Sequence, residues 1–330
     1  MMLFLQRLAL LSWLLATSVA AVETKASEDY PFDTYIKEFN KDYATDEEFR
    51  LRESIFLKNL ATIVRHNNDR DPLKYYMDLN QFTDMSEEEL PLGYDKSYHA
   101  AWKHESDTSI SRNLQATLAI EDLPPSVDWR SKGDATTAVK NQGGCGSCWA
   151  FASAAALESH IAIQTGKLFT LSVQEFVSCV PNPNECGGQG GCSGSTAELA
   201  YDFAAKHGVV DEWNFGYQSY RGKKVNCTIM DDPSTRLRGS DPAPKMIKGA
   251  VASIVGFSNL PSNHYNSLLA AVAKLGPVVV NVAASQWGLY KGGVFDDDDA
   301  ENRDINHAVV LEGYGTDEET GQDYWLVRNR

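Results

Sequence analysis

The ten residues from Gln142 to Phe151, Gln-Gly-Gly-Cys-Gly-Ser-Cys-Trp-Ala-Phe, constrain this chain more than any other stretch. Gly143, Gly144 and Gly146 let the backbone turn tightly. Directly afterwards the sequence becomes apolar and alanine-rich, as in a buried helix. Cys148 falls at the junction. A thiol there faces the unpaired N–H groups and partial positive charge of a helix N-terminus, which favour thiolate over thiol. Gln142 offers a side-chain amide donor across the turn. With the backbone N–H of Cys148, it is suited to hold the oxygen of a tetrahedral intermediate. Two other readings of Cys145-x-x-Cys148 stand beside the nucleophile. A redox pair calls for a thioredoxin-like strand before it, and half a zinc site calls for a second Cys or His pair at ligand spacing. The sequence shows neither context.

The run Cys145-Gly146-Ser147-Cys148-Trp149 resembles the nucleophile signature of the papain-like cysteine peptidases. That resemblance implies a papain-like two-domain α+β fold, with a helical L domain and a β-barrel R domain flanking the active-site cleft. The patterning agrees. Ala150 to Gln164 reads as one long buried helix, and Leu171 to Glu175 resembles the helix start that follows it in the family. From Val278 onward the runs Val278–Val280, Gly292–Phe295, Ala308–Leu311 and Tyr324–Val327 read as strands. Helices first and strands later is an α+β order.

The N-terminus sets the compartment. Arg7, the apolar run Leu8–Leu15 and the small residues Ser18-Val19-Ala20 read as a signal peptide over residues 1–20. The run is too short to span a bilayer, and no later stretch reaches the roughly 18 apolar residues a span needs. The secretory route follows, ending in a lysosome or vacuole or outside the cell, where disulfides form. A formal net charge of −15 argues against nucleic-acid partners.

Glu48, Arg52, Ile55, Phe56, Asn59, Ile63 and Asn67 recur at helical steps, with Glu48 and Arg52 as an i,i+4 pair. Their order resembles the Glu-Arg-Phe-Asn-Ile-Asn pattern of cathepsin L-type propeptides. Asn80, Phe82 and Asp84 resemble the following Gly-x-Asn-x-Phe-x-Asp motif, with Asp78 at the glycine position. The resemblance implies a small helical inhibitory propeptide, with linker, over residues 21–122. Its tail would run through the cleft backwards as an intramolecular inhibitor. Protonating carboxylates such as Glu48 and Asp84 is expected to loosen it. Residues 95–122 lack periodicity and read as an exposed linker, with cleavage between Asn113 and Leu123. Leu123-Pro124-Pro125-Ser126-Val127-Asp128-Trp129-Arg130 resembles a mature peptidase start. The peptidase domain is therefore expected over 123–330. The resemblance marks it as truncated, because the family continues Asn-Ser-Trp-Gly where this sequence reads Asn329-Arg330.

Of seven histidines, His307 has the strand context that the family gives its catalytic imidazole, Asn306-His307-Ala308-Val309-Val310. The resemblance makes Cys148 and His307 a thiolate–imidazolium pair, Asn329 the orienting acceptor and Gln142 the oxyanion donor. It pairs Cys145 with Cys192 and Cys179 with Cys227. Cys186 is left in Pro181–Gly191, which looks inserted relative to papain. It makes Gly194, Ser195, Thr196, Ala197, Asn281, Asn306 and Ala308 the substrate-binding residues, with Gly194 offering backbone hydrogen bonds. The run Asp296–Asp299 reads as a solvated loop, and Asn226-Cys227-Thr228 is a glycosylation sequon. No metal or cofactor is expected. Protein and peptide substrates, cystatin-type inhibitors and a monomeric state are. The function implied is a cysteine endopeptidase made as an autoinhibited zymogen. The alternative is a catalytically inactive homologue that binds peptides or inhibitors.

Overall fold

The computed structural model describes residues 24–69, 75–95, 123–230, 246–296 and 304–330. The expected signal peptide, residues 96–122 of the linker with its cleavage region, and Asp297 to Asp299 lie outside them. The helices are α1 (Phe32–Glu38), α2 (Asp46–Asp69), α3 (Cys148–Thr165), α4 (Val173–Cys179), α5 (Ala197–His207) and α6 (Tyr265–Lys274). The strands are β1 (Tyr76–Met77), β2 (Val127–Asp128), β3 (Val209–Val210), β4 (Ala250–Ala252), β5 (Val278–Val282), β6 (Tyr290–Gly292), β7 (His307–Thr316) and β8 (Asp323–Arg328).

The N-terminal unit is organised by α2. Thr45 Oγ1 accepts the Glu48 N–H at 3.1 Å, while the Glu48 carboxylate accepts the Ala44 N–H at 3.0 Å. This reciprocal cap, with Asp46, Glu47 and Glu48 in the first turn, starts the helix. Phe56, Leu60 and Ile63 form its buried face and pack on Phe32, Tyr35 and Leu79. Glu48 is thus occupied at the helix start, and the expected pair with Arg52 is replaced. Arg52 reaches Glu89 at 2.8 Å and the Asp84 carbonyl at 3.1 Å. Asn59 donates to the carbonyls of Thr83 and Met85, and Asn67 bonds Met77 through both ends of its amide. Asp84 is buried, accepting from Tyr35 and Tyr43 at 2.8 Å each and from Lys41 at 2.6 Å. Asp78 accepts the Lys25 and Ala26 N–H groups.

In the second unit α3 is buried along nearly its whole length. Small side chains let α4, α5 and β7 close around it. Trp149, Leu171, Phe176, Phe203 and Val209 share its main core. Gly166 ends the helix in the left-handed region at φ 69°, where a side chain would be strained. β7 is the central strand of a four-stranded antiparallel sheet: β5 and β2 pair in tandem along one edge and β8 along the other. Its apolar run is buried from His307 to Gly315. β1 of the N-terminal unit pairs with β6, which ties the two units together.

Two buried charge clusters fix the segment leading to Gln142. Glu158 of α3, fully buried, accepts from Lys140 at 2.7 Å, Thr137 at 2.5 Å and the Leu171 N–H at 2.7 Å. Arg328 of β8 bonds Glu312 of β7 at 2.8 Å and also the carbonyls of Thr137 and Ala138. Disulfides join Cys145 to Cys192 and Cys179 to Cys227. Cys145 therefore forms no redox pair with Cys148, and Cys186, which is buried, belongs to neither bridge.

Candidate active site

Cys148 is the first residue of α3 and is fully buried. Its Sγ accepts the Ala308 N–H at 3.4 Å, across the junction of α3 and β7. Ala152, Ala155, Ala308 and Val310 pack around it. The neighbour of Ala308 on β7 is His307. Its Nε2 lies 2.8 Å from the Asn329 Oδ1, just beyond β8. With that amide oxygen as acceptor, Nε2 carries the proton and Nδ1 is left bare, buried and without a hydrogen-bond partner among the described residues. The Trp287 ring stands edge-on to the imidazole at 6.5 Å.

Burial, then the Arg330 charge, pull the His307 pKa down to about 3, against the opposing pull of Asn329. Burial strips water from an imidazolium and the neighbouring guanidinium repels it, so both oppose charge on His307 unless a Cys148 thiolate supplies the counter-charge. Arg330 is itself pushed down to about 10, chiefly by burial.

Gln142 is buried, and its amide is used at both ends. Nε2 donates to the Cys145 carbonyl at 2.8 Å and to the Pro91 carbonyl at 2.6 Å. Oε1 accepts from Arg330 at 3.3 Å. Pro91 belongs to the N-terminal unit, and the chain continues from it through the cleft. Gly93 lies against Gly146 and Gly194, closely enough that a Cβ on Gly93 would sit 2.1 Å from the Gly146 carbonyl oxygen. Tyr94 then donates its N–H to the Asn306 carbonyl, and Asp95 to the Gly187 carbonyl, each at 3.1 Å.

The expected substrate-binding residues fall on both sides of this segment. Asn306 accepts from Tyr94 through its carbonyl, while its side chain holds the Ala284 N–H and Ser285. Ala308 stands opposite Asn281 in the β5–β7 register, the former buried and the latter exposed. Ser195 is buried, Thr196 is the N-cap of α5, and Ala197 is its first residue. The Gly194 carbonyl accepts the Gly190 N–H at 2.7 Å, because the loop Pro181–Gly191 folds back on it. Asn226 is exposed. His160, by contrast, is tied to the Pro277 carbonyl, away from Cys148.

Sequence reasoning missed Pro91, Gly93, Gly187, Trp287 and Arg330. Arg330 carried a signal, standing where the resembling family has serine. The others had none, since each matters only through the segment it meets.

Comparison with known proteins agrees with this architecture. The family model described as papain family cysteine protease matches residues 123–330, and the cathepsin propeptide inhibitor domain matches residues 32–90. Pro-cathepsin H of Bos taurus is 33% identical over 96% of this chain and 87% of its own length. Cathepsin L of Sarcophaga peregrina is 32% identical over 90% of this chain and 82% of its own. Among solved structures, the digestive procathepsin L2 proteinase of Tenebrio molitor larval midgut superposes with a TM-score of 0.71. It is 32% identical and covers 90% of this chain and 88% of its own. Both family models thus fall on the two units that the structure shows: the chain belongs to the papain family of cysteine proteases and carries a cathepsin-type propeptide inhibitor domain.

Proposed function

We propose that Cys148, His307, Asn329 and Gln142 hydrolyse peptide bonds in this zymogen of a cysteine endopeptidase, once the propeptide has left the cleft. The Cys148 proton passes to Nδ1 of His307, the nitrogen that the Asn329 contact leaves bare. Sγ then bonds the substrate carbonyl carbon, and the oxygen becomes an anion held by the Gln142 amide and the Cys148 N–H. Collapse breaks the C–N bond, and His307 gives its proton to the departing amine. The thioester left on Cys148 is attacked by water, whose proton His307 accepts. The carboxylic acid leaves and the thiol is restored. The observation that carries this reading is the Gln142 amide, which already donates to a peptide carbonyl, that of Pro91, at 2.6 Å.

The propeptide is read as spanning residues 21–122 and the enzyme 123–330, with residues 1–20 directing the chain into the secretory pathway and on to a lysosome, a vacuole or the exterior. The segment from Pro91 to Asp95 is read as the inhibitory tail, with polarity opposite to substrate. The exposed Asn226 is the proposed glycan site, and Thr196, Ala197, Asn281, Asn306 and Ala308 flank the substrate. Cystatin-type inhibitors fit the same cleft, and a monomer is the proposed assembly. Labelling acid-treated, reduced protein with an epoxysuccinyl thiol probe and mapping the adduct tests the assignment. Labelling at Cys148 that disappears in Cys148→Ala is expected; labelling confined to Cys186, or none, would sink it.

A further inference from the structure

We infer that the inserted loop Pro181–Gly191 is a wall of the substrate cleft, and that its Gly187 carbonyl, in place of the Gly194–Ser195 edge, accepts a backbone N–H from an extended substrate. The residue concerned lies on the amino-terminal side of the scissile bond. The inference rests on the reading of Cys148 as nucleophile and adds an element to the binding site that the nucleophile does not require.

The loop is a built structure. The Asn182 side chain holds it from inside: Nδ2 donates to the Cys186 carbonyl at 3.0 Å and the Gly188 carbonyl at 2.9 Å, and Oδ1 accepts the Cys186 N–H at 2.8 Å. The same Nδ2 lies 3.4 Å from Ser195 Oγ, which joins the loop to the cleft edge. The loop then covers that edge. Gln189 donates its N–H to the Ser193 carbonyl at 2.9 Å and Gly190 to the Gly194 carbonyl at 2.7 Å. A Cβ on Gly187 would stand 2.9 Å from the Ser195 carbonyl oxygen, so the loop backbone lies directly over Ser195. The Ser193 and Gly194 carbonyls each already accept one hydrogen bond from the loop, which leaves them poorer acceptors for a substrate.

The Gly187 carbonyl takes over the role. It accepts the Asp95 N–H at 3.1 Å, while the preceding Tyr94 N–H bonds the Asn306 carbonyl on the opposite wall, also at 3.1 Å. Successive N–H groups of an extended chain point to opposite sides. The trough between Gly187 and Asn306 is therefore as wide as one extended strand, and the propeptide shows it filled. A substrate in this trough meets the same two acceptors whichever way it runs, because an extended chain presents N–H groups to both sides in either direction. Asn182 is a positioning residue: it touches no substrate, but it sets where the Gly187 carbonyl stands.

The test uses the full chain matured at acid pH and a peptide substrate with four residues before the scissile bond, in which each backbone amide in turn is replaced by an ester. One replacement, at the residue facing Gly187, is expected to raise KM about threefold to tenfold with kcat unchanged, the loss of one hydrogen bond. In Asn182→Ala that penalty is expected to vanish, whereas in Asn182→Asp, which keeps the acceptor for Cys186, it is expected to persist in part. A penalty of the same size in wild type and Asn182→Ala would overturn the inference, as would no penalty at any position in the wild type. The wild-type series needs no folded variant. Failure of Cys148 to label would instead overturn the nucleophile assignment, so the two outcomes are told apart.

Discussion

At the scale of single residues, His307 is the group whose charge the covered cleft most opposes. Its pKa lies near 3 against an ordinary value of 6.5, so the folded precursor binds the proton more weakly than the unfolded chain. Its contribution to stability is complete above pH 6.5 and lost as pH falls toward 3, at about 1.4 kcal/mol per pH unit inside that window. His160, also held down by burial, acts in the same direction. Glu175 acts against both: burial pushes its carboxyl up to about 8, so it stabilises the fold as pH falls from there toward 4.5. The net slope is therefore blunted, and the informative quantity is a difference. Thermal or urea unfolding of the Cys148→Ser precursor, compared with the same precursor carrying His307→Gln, is expected to show a gap narrowing by about 1.4 kcal/mol per unit below pH 6.5. A gap independent of pH would show that the imidazole is not buried neutral. Glu89, held down by Arg52, loses its contribution only below its ordinary 4.5 and so leaves the upper part of the window to His307.

At the scale of elements, inhibition depends on whether α2 keeps its place. Phe56 is fully buried, and its ring meets those of Phe32, Tyr30 and Tyr35 at 5.1, 6.4 and 4.8 Å. Phe56→Ala removes the centre of that cluster at about 3–5 kcal/mol. The variant precursor is expected to hydrolyse peptide at neutral pH without prior acid treatment. If it stays as silent as wild type, the cluster does not hold the inhibitory tail. The Asp84 cluster works alongside it: Lys41, Tyr35 and Tyr43 converge on one buried carboxylate and draw the chain after α2 back toward α1.

At the scale of the whole molecule, two units exclude each other's alternatives. β1 pairs with β6, and the chain then crosses the cleft from Gln142 to Gly187. The crossing is closest at Gly93, where any side chain would meet the Gly146 carbonyl oxygen at 2.1 Å. Gly93→Ala must lift the tail away from Gly146. Overpacking of this kind costs about 1–3 kcal/mol, and each 1.4 kcal/mol is a factor of ten. The intact Gly93→Ala precursor is therefore expected to react with the thiol probe at neutral pH about ten times faster than wild type. Equal rates would mean that the crossing contributes nothing to protection.

The helix headed by Cys148, the strand that begins at His307 and the face Phe56–Ile63 of α2 were legible in the sequence, because each is a local pattern. A glycine turn before an alanine run, a continuous apolar stretch and a helical period are all written within a few residues. What the tertiary structure alone decided involves segments far apart in the chain. Arg52 bonds Glu89 and not Glu48, since Glu48 is drawn to the helix start. Gln142 donates to Pro91, and Gly187 replaces the Gly194 edge, only because the tail and the loop close on the same cleft. The lowered pKa of His307 has the same origin. Desolvation is the sum of everything packed around a group, and the residues that dry this imidazole come from β7, the end of β8, the Trp287 turn and the arginine at position 330.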